Sequence, residues 1–151
     1  MRTEDWMQRQ VQSVRPLDSL QHAREIMAAH RINQLPVVVE GKLVGIVTDR
    51  DLRDAFPSVF ECWPRGRAAE AATAIPKHIT VELVMTTNVL TLGPKAPLAE
   101  AARLMRTERI GAIPIVENDQ LVGIVTRSDI LDAFLTLAEQ AQNRNRDPQS
   151  V

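Results

Sequence analysis

Two stretches of the chain combine a hydroxyl and a carboxylate at one spacing, with an arginine between them. They are Gly45-Ile46-Val47-Thr48-Asp49-Arg50-Asp51 and Gly123-Ile124-Val125-Thr126-Arg127-Ser128-Asp129. In each, a run rich in Val and Ile reads as a strand that ends at the threonine, where a helix opens. A helix N-terminus presents N–H groups without partners and a partial positive charge, so it attracts phosphate. The hydroxyl of Thr48 or Thr126 can add a bond to that anion. Three residues on, Asp51 or Asp129 offers two acceptor oxygens, which suit a ribose cis-diol. Arg50 and Arg127 lie close enough in sequence to reach an anion. A phosphate site beside a diol acceptor suggests a nucleotide. Thr-x-x-Asp is equally the spacing of a helix capping box, in which both side chains satisfy backbone N–H groups. The two roles can coexist, and spacing alone does not separate them.

These stretches belong to a longer duplication. Offset by 78 residues, Val11–Phe56 falls on Val89–Phe134 without a gap, and 19 of the 46 positions are identical. That is too much for chance, so the fold must be read as a repeat. Each copy starts with a short strand, Val11–Val14 or Val89–Leu92, ended by Pro16 or Pro94. A helix follows. Asp18 is suited to cap its start in the first copy, and Pro97 suits the first helical position in the second. Leu20, Ala23, Ile26 and Met27 share one helical face, as do Leu98, Ala101, Leu104 and Met105. Two apolar runs come next, joined at Glu40-Gly41 or Asn118-Asp119, residue types that tolerate the positive φ of a tight hairpin. The second helix then opens after Thr48 or Thr126.

The expected class is therefore α/β (α+β), with two β-α-β-β-α copies packed as a pseudo-twofold pair. A copy of about 46 residues is too small to bury a good core alone, and pairing solves that. The expected boundaries are 6–57 for the first copy, 58–79 for a linker, 80–138 for the second copy and 139–151 for a polar tail, frayed over 142–151. Pro57, Pro64 and Gly66 break structure in the linker, and Ala68–Ala74 is suited to a short helical turn.

Composition narrows the function. Of 151 residues, 18 are Lys or Arg and 19 Asp or Glu, a net charge of −1 that argues against a nucleic-acid protein of the usual basic kind. A hydrophobic content of 44% fits a globular chain with a real core. One cysteine, Cys62, excludes an internal disulfide and any Cys-Cys zinc motif. It reads as a passive thiol. His22, His30 and His78 are scattered and read as surface or linker residues, so no metal is expected. No apolar run is long enough to span a membrane. The acids near the start do not suit a signal peptide, and a cytoplasmic location is the default expectation. No nucleophile constellation or P-loop is visible, so no catalytic activity is expected.

The tandem copies, with Gly-Ile-Val-Thr-Asp-Arg-Asp in one and Gly-Ile-Val-Thr-Arg-Ser-Asp in the other, resemble a pair of cystathionine-β-synthase (CBS) domains, a Bateman module. Arg31-Ile32-Asn33-Gln34-Leu35-Pro36-Val37-Val38 and Arg109-Ile110-Gly111-Ala112-Ile113-Pro114-Ile115-Val116 are similar to the segment leading into the family's central hairpin, and Val84–Val89 to the start of a repeat. The resemblance covers about residues 6–57 and 80–138. It implies a regulatory, energy-sensing module that binds AMP, ADP, ATP or S-adenosylmethionine in clefts between the repeats, with no catalytic cofactor.

Carried over, one site uses Thr48, Arg50 and Asp51 with Val89, Ile110, Gly111, Ala112 and Pro114. The other uses Thr126, Arg127, Ser128 and Asp129 with Gln12, Ile32, Asn33, Gln34 and Pro36. Asp49 replaces Arg127, and Asn33-Gln34 replace Gly111-Ala112, so the sites should differ, with Thr126/Asp129 the stronger. Trp6-Met7-Gln8-Arg9 lacks the threonine found at Thr86, which puts the first lead-in's part in a pocket in question. The resemblance also implies a homodimer, through Leu52, Phe56, Ile130, Phe134 and Leu137 of the second helices, and an effector protein acting in trans. The rival reading is a ligand-free dimerisation or scaffold module.

Overall fold

A computed structural model describes residues 1–55 and 78–146. Phe56, Cys62, the turn at Ala68–Ala74 and nearly all of the linker lie outside the described residues. Helix α1 is Thr3–Trp6, α2 Leu20–His30, α3 Asp49–Ala55, α4 Leu98–Thr107 and α5 Arg127–Arg146. Strands β1 (Gln34–Val39) and β2 (Lys42–Thr48) form one antiparallel pair, and β3 (Ala112–Glu117) and β4 (Gln120–Thr126) another. A 3-10 turn covers Val81–Leu83. The chain is thus mixed α and β, as its pattern implies. Among the described residues no helix is long and apolar enough to cross a membrane.

The described residues fall into two compact units. One lies within Gln10–Leu90 and adds Asn118–Leu121; the other holds Met1–Arg9, Thr91–Glu117 and the chain from Val122 onward. In the first, Val14, Leu20, Met27, Leu35, Val37, Val47, Leu52 and Val81 make the core. In the second, Met7, Leu98, Met105, Ile113, Ile115, Val125 and Ala133 do so. The helical faces read from the sequence are the buried ones. Both hairpins turn through positive φ, at Glu40 and Gly41 and at Asn118 and Asp119.

Several local details differ from expectation. Asp18 does not cap α2. Its carboxylate accepts from the Arg15 N–H, and Ser19 is the cap, accepting from the His22 N–H at 3.1 Å. Pro97 is the residue before α4 rather than its first, with Leu98 opening the helix. The leading strands shrink to single bridges, Val14 to Val37 and Leu92 to Ile115. Pro36 and Pro114 stand in the facing strands and lack an N–H, so that edge cannot carry a long ladder. What remains is one pair of bonds per edge, Val14 to Pro36 and Val38, and Leu92 to Pro114 and Val116. Residues 142–146 continue α5 instead of fraying, because Glu139, Gln140, Ala141 and Gln142 are good helix formers.

The other edge of each hairpin is covered by a lead-in from the opposite end of the duplication. Thr86 exchanges two backbone bonds with Ile46 of β2, and Gln8 exchanges two with Ile124 of β4. Gln8 and Thr86 are equivalent positions under the 78-residue offset. Each copy's lead-in therefore closes the hairpin of the other copy. Thr3, fully buried, anchors the first lead-in by sharing its one O–H between the carbonyls of Gly93 and Pro94.

The close approach needs a glycine in each facing strand. A Cβ on Gly45 would stand 3.0 Å from the Thr86 carbonyl oxygen, and one on Gly123 would stand 3.1 Å from that of Gln8. Both would also press on Met85 or Met7. The methionines can yield, but the carbonyls are fixed by their hydrogen bonds. Gly45→Ala and Gly123→Ala should each cost about 1–3 kcal/mol, as overpacking does. Scanning calorimetry should show this as a Tm lowered by roughly 3–10 °C. Gly93→Ala, with nothing within 4 Å, should show no such loss. A Tm that stays put in the first two variants would contradict the close approach.

Candidate functional site

Each strand-to-helix junction is a closed capping box. At the first, the Thr48 N–H donates to Asp51 Oδ2 at 2.8 Å, and the Asp51 N–H donates to Thr48 Oγ1 at 3.1 Å. At the second, the Thr126 N–H donates to Asp129 Oδ2 at 2.6 Å, and the Asp129 N–H reaches Thr126 Oγ1 at 3.4 Å. The bland reading of Thr-x-x-Asp thus holds at both places. It uses only part of each carboxylate, because every cap bond falls on Oδ2. Among the described residues Asp51 Oδ1 has no hydrogen bond, and Asp129 Oδ1 has only a long one, 3.3 Å, from Gln8 Nε2. Each half-buried acid therefore keeps an acceptor for something else.

The junctions differ in their hydroxyls and their arginines. Thr126 Oγ1 donates to Asp129 Oδ2 at 2.7 Å, whereas Thr48 Oγ1 has no such bond to Asp51 among the described residues. Arg127 turns back on its own copy. Its N–H donates to the Gly111 carbonyl at 3.1 Å and its Nε–H to the Ile110 carbonyl at 3.2 Å. Asp49 has the matching backbone bond, to the Asn33 carbonyl at 2.9 Å. Its carboxylate instead pairs with Arg53 at 3.3 Å. Arg50 lies along α3 toward Asp54 at 3.8 Å, with 82% of its side chain exposed, a contact that adds little. Ser128 is exposed.

Of the residues expected at a site, Thr126, Arg127, Ser128, Asp129, Ile110, Gly111, Ala112 and Pro114 fall in one compact unit. Thr48, Arg50, Asp51, Gln12, Ile32, Asn33, Gln34, Pro36 and Val89 fall in the other. Within each unit the junction is hydrogen-bonded to the segment before the hairpin. Pro36, Ala112 and Pro114 are buried, Ile32, Gln34, Val89, Ile110 and Gly111 half-buried, and Gln12 and Asn33 exposed. Gln8 is the residue that sequence reasoning missed at the second junction. The signal is its alignment with Thr86, which sets another polar side chain at the position of that threonine. Leu52 is a correction of another kind. It is 1% exposed and belongs to the core, so it offers no surface for dimerisation. It lies on the inner face of α3, against the hairpin. Phe134 and Leu137 are exposed, and Ile130 is half-buried.

Comparison with known proteins agrees with this architecture. A family model described as "CBS domain" matches residues 4–58 and 80–136. A CBS domain-containing protein of Dictyostelium discoideum is 37% identical over 123 residues, which is 80% of this chain and 82% of that protein. The CBS domain pair of protein MJ0100, solved with 5-methylthioadenosine and S-adenosyl-L-methionine, superposes with a TM-score of 0.72 at 30% identity. It covers 89% of this chain and 95% of that one. CBSX2 in complex with AMP gives 0.74 at 26% identity, covering 91% and 98%.

Proposed function

The chain belongs to the CBS domain family, and on that premise we propose that it is a non-catalytic regulatory module for an adenosyl ligand. AMP, ADP, ATP and S-adenosylmethionine are the candidates. The repeats are assigned to 6–57 and 80–138. Thr126, Arg127, Ser128 and Asp129, and Thr48, Arg50 and Asp51, take the ribose and phosphate. Ile110, Gly111, Ala112, Pro114 and Val89, and Gln12, Ile32, Asn33, Gln34 and Pro36, take the base. The observation that carries the reading is the Oδ1 left over at each capping box. A carboxylate held rigidly by its other oxygen is a preorganised acceptor for a diol. Relatives solved with AMP and with S-adenosyl-L-methionine support the ligand class.

Binding would bias the packing of the module and so signal to an effector protein in trans. A cytoplasmic homodimer is part of the same proposal, with Phe134 and Leu137 of α5 as its exposed apolar contacts. The completeness of both caps favours a second reading, a scaffold that binds no ligand.

A thermal-shift panel separates them. A ligand at about 100 times its Kd should add ~2.7 kcal/mol, a rise of roughly 5–11 °C for a chain of this size. A flat response to all four adenosyl compounds would leave the scaffold.

A further inference from the structure

Each copy has a groove between its two helices, lined at matching positions. In the first unit Arg24, Met27, Arg31, Asp49, Leu52 and Arg53 line about 390 Å³ between α2 and α3. In the second, Met105, Arg106, Arg109, Arg127, Ile130 and Leu131 line about 440 Å³ between α4 and α5. The floors are alike, Met27 with Leu52 and Met105 with Ile130. The charges are not. Asp49 supplies a carboxylate to the first groove and pairs with Arg53. Arg127 takes that position in the second, and no acid lines the groove. Among the described residues, Arg106, Arg109 and Arg127 form no ion pair. Three guanidinium groups thus rim an apolar floor without a counter-charge. Guanidinium is a planar, weakly hydrated donor that matches carboxylate and phosphate geometry. Concave apolar sites of this size, with a few convergent polar groups, commonly hold small molecules.

We propose that the α4–α5 groove binds a small organic anion with an apolar body, an aryl or acyl carboxylate, phosphate or sulfonate, separately from the adenosyl ligand. The apolar body lies on Ala102, Met105, Ile130 and Leu131. The anionic head meets Arg106 and Arg109. In the first groove Asp49 pairs with Arg53 and sets a carboxylate where the anionic head would lie, which weakens anion binding there although Arg24 and Arg31 also line it.

The probe is 8-anilinonaphthalene-1-sulfonate, which has an apolar body and one anionic head and fluoresces when it leaves water. Titration of the full chain should show one site per chain. In the double variant Arg106→Gln/Arg109→Asn that site should weaken at least tenfold while AMP affinity stays within twofold. Asparagine is chosen at 109 because that residue has φ 56°, which asparagine tolerates. Asp49→Arg, in protein whose circular dichroism matches the parent, should raise the stoichiometry from one to two. Dye binding indifferent to loss of the two arginines would overturn the proposal, since apolar surface alone would then explain it. A stoichiometry that stays at one in Asp49→Arg would overturn the charge argument, and displacement of the dye by saturating AMP would merge the groove with the adenosyl site. Failure of AMP to bind at all would sink the adenosyl reading and leave the dye comparison intact.

Discussion

A chain that starts at Gln10 is expected to lose about 3–6 kcal/mol of stability, far more than nine terminal residues usually contribute. The loss has identifiable parts. Met7, 8% exposed, leaves the core of the second unit. The two backbone bonds between Gln8 and Ile124 disappear, which reopens an edge of β4. The Gly93 and Pro94 carbonyls lose the buried Thr3 hydroxyl. Urea unfolding should show a lower midpoint, and amide exchange should speed up in β4 before it does in β2. A synthetic peptide of residues 1–9, added in excess, should restore part of the loss. Thr3→Val is the milder companion. It keeps the shape and strips the shared hydroxyl bond, so about 1–3 kcal/mol is expected. A midpoint unchanged by removal of residues 1–9 would refute the exchange of lead-ins.

The second large effect belongs to Asp129. Replacing it with alanine removes both a cap and a diol acceptor. The cap is worth about 1 kcal/mol. Loss of a charged acceptor is worth about 1.5–3 kcal/mol, a drop in adenosyl affinity of roughly 10- to 150-fold. Asp129→Asn divides the two roles. The amide oxygen can still accept the Thr126 N–H, so the fold should hold within about 0.5 kcal/mol, while the charge and the second acceptor are gone and the affinity should fall. Calorimetric titration of both variants, with Asp51→Ala and Asp51→Asn beside them, assigns the site. Affinity that survives Asp129→Ala and Asp51→Ala alike would show that these acids serve only their helices.

Much of this is legible in the sequence. The identities at Leu43–Thr48 and Leu121–Thr126 located both hairpins and both helix starts. The spacing of Leu20, Ala23 and Met27, and of Leu98, Ala101 and Met105, gave the buried helix faces. The capping boxes followed from Thr-x-x-Asp itself. What escaped is mostly non-local. Whether Val14 heads a ladder or a single bridge depends on a proline 22 residues away in the facing strand. The exception is local: the Asp18 carboxylate closes the preceding turn on the Arg15 N–H, three residues away, and leaves the cap to Ser19. Gln8 could not be placed beside Asp129 from spacing, since 121 residues separate them. Nor does a hydrophobic pattern say that Leu52 faces inward while Leu131, 63% exposed, faces water.

The trading of lead-ins bears on the fate of a single copy. A gene carrying one copy would encode a hairpin whose second edge had to be closed by a segment arriving from elsewhere. The cheapest donor is an identical molecule, and the loan would be mutual. A single copy made alone is therefore expected to pair with a second, each closing the other's open strand edge.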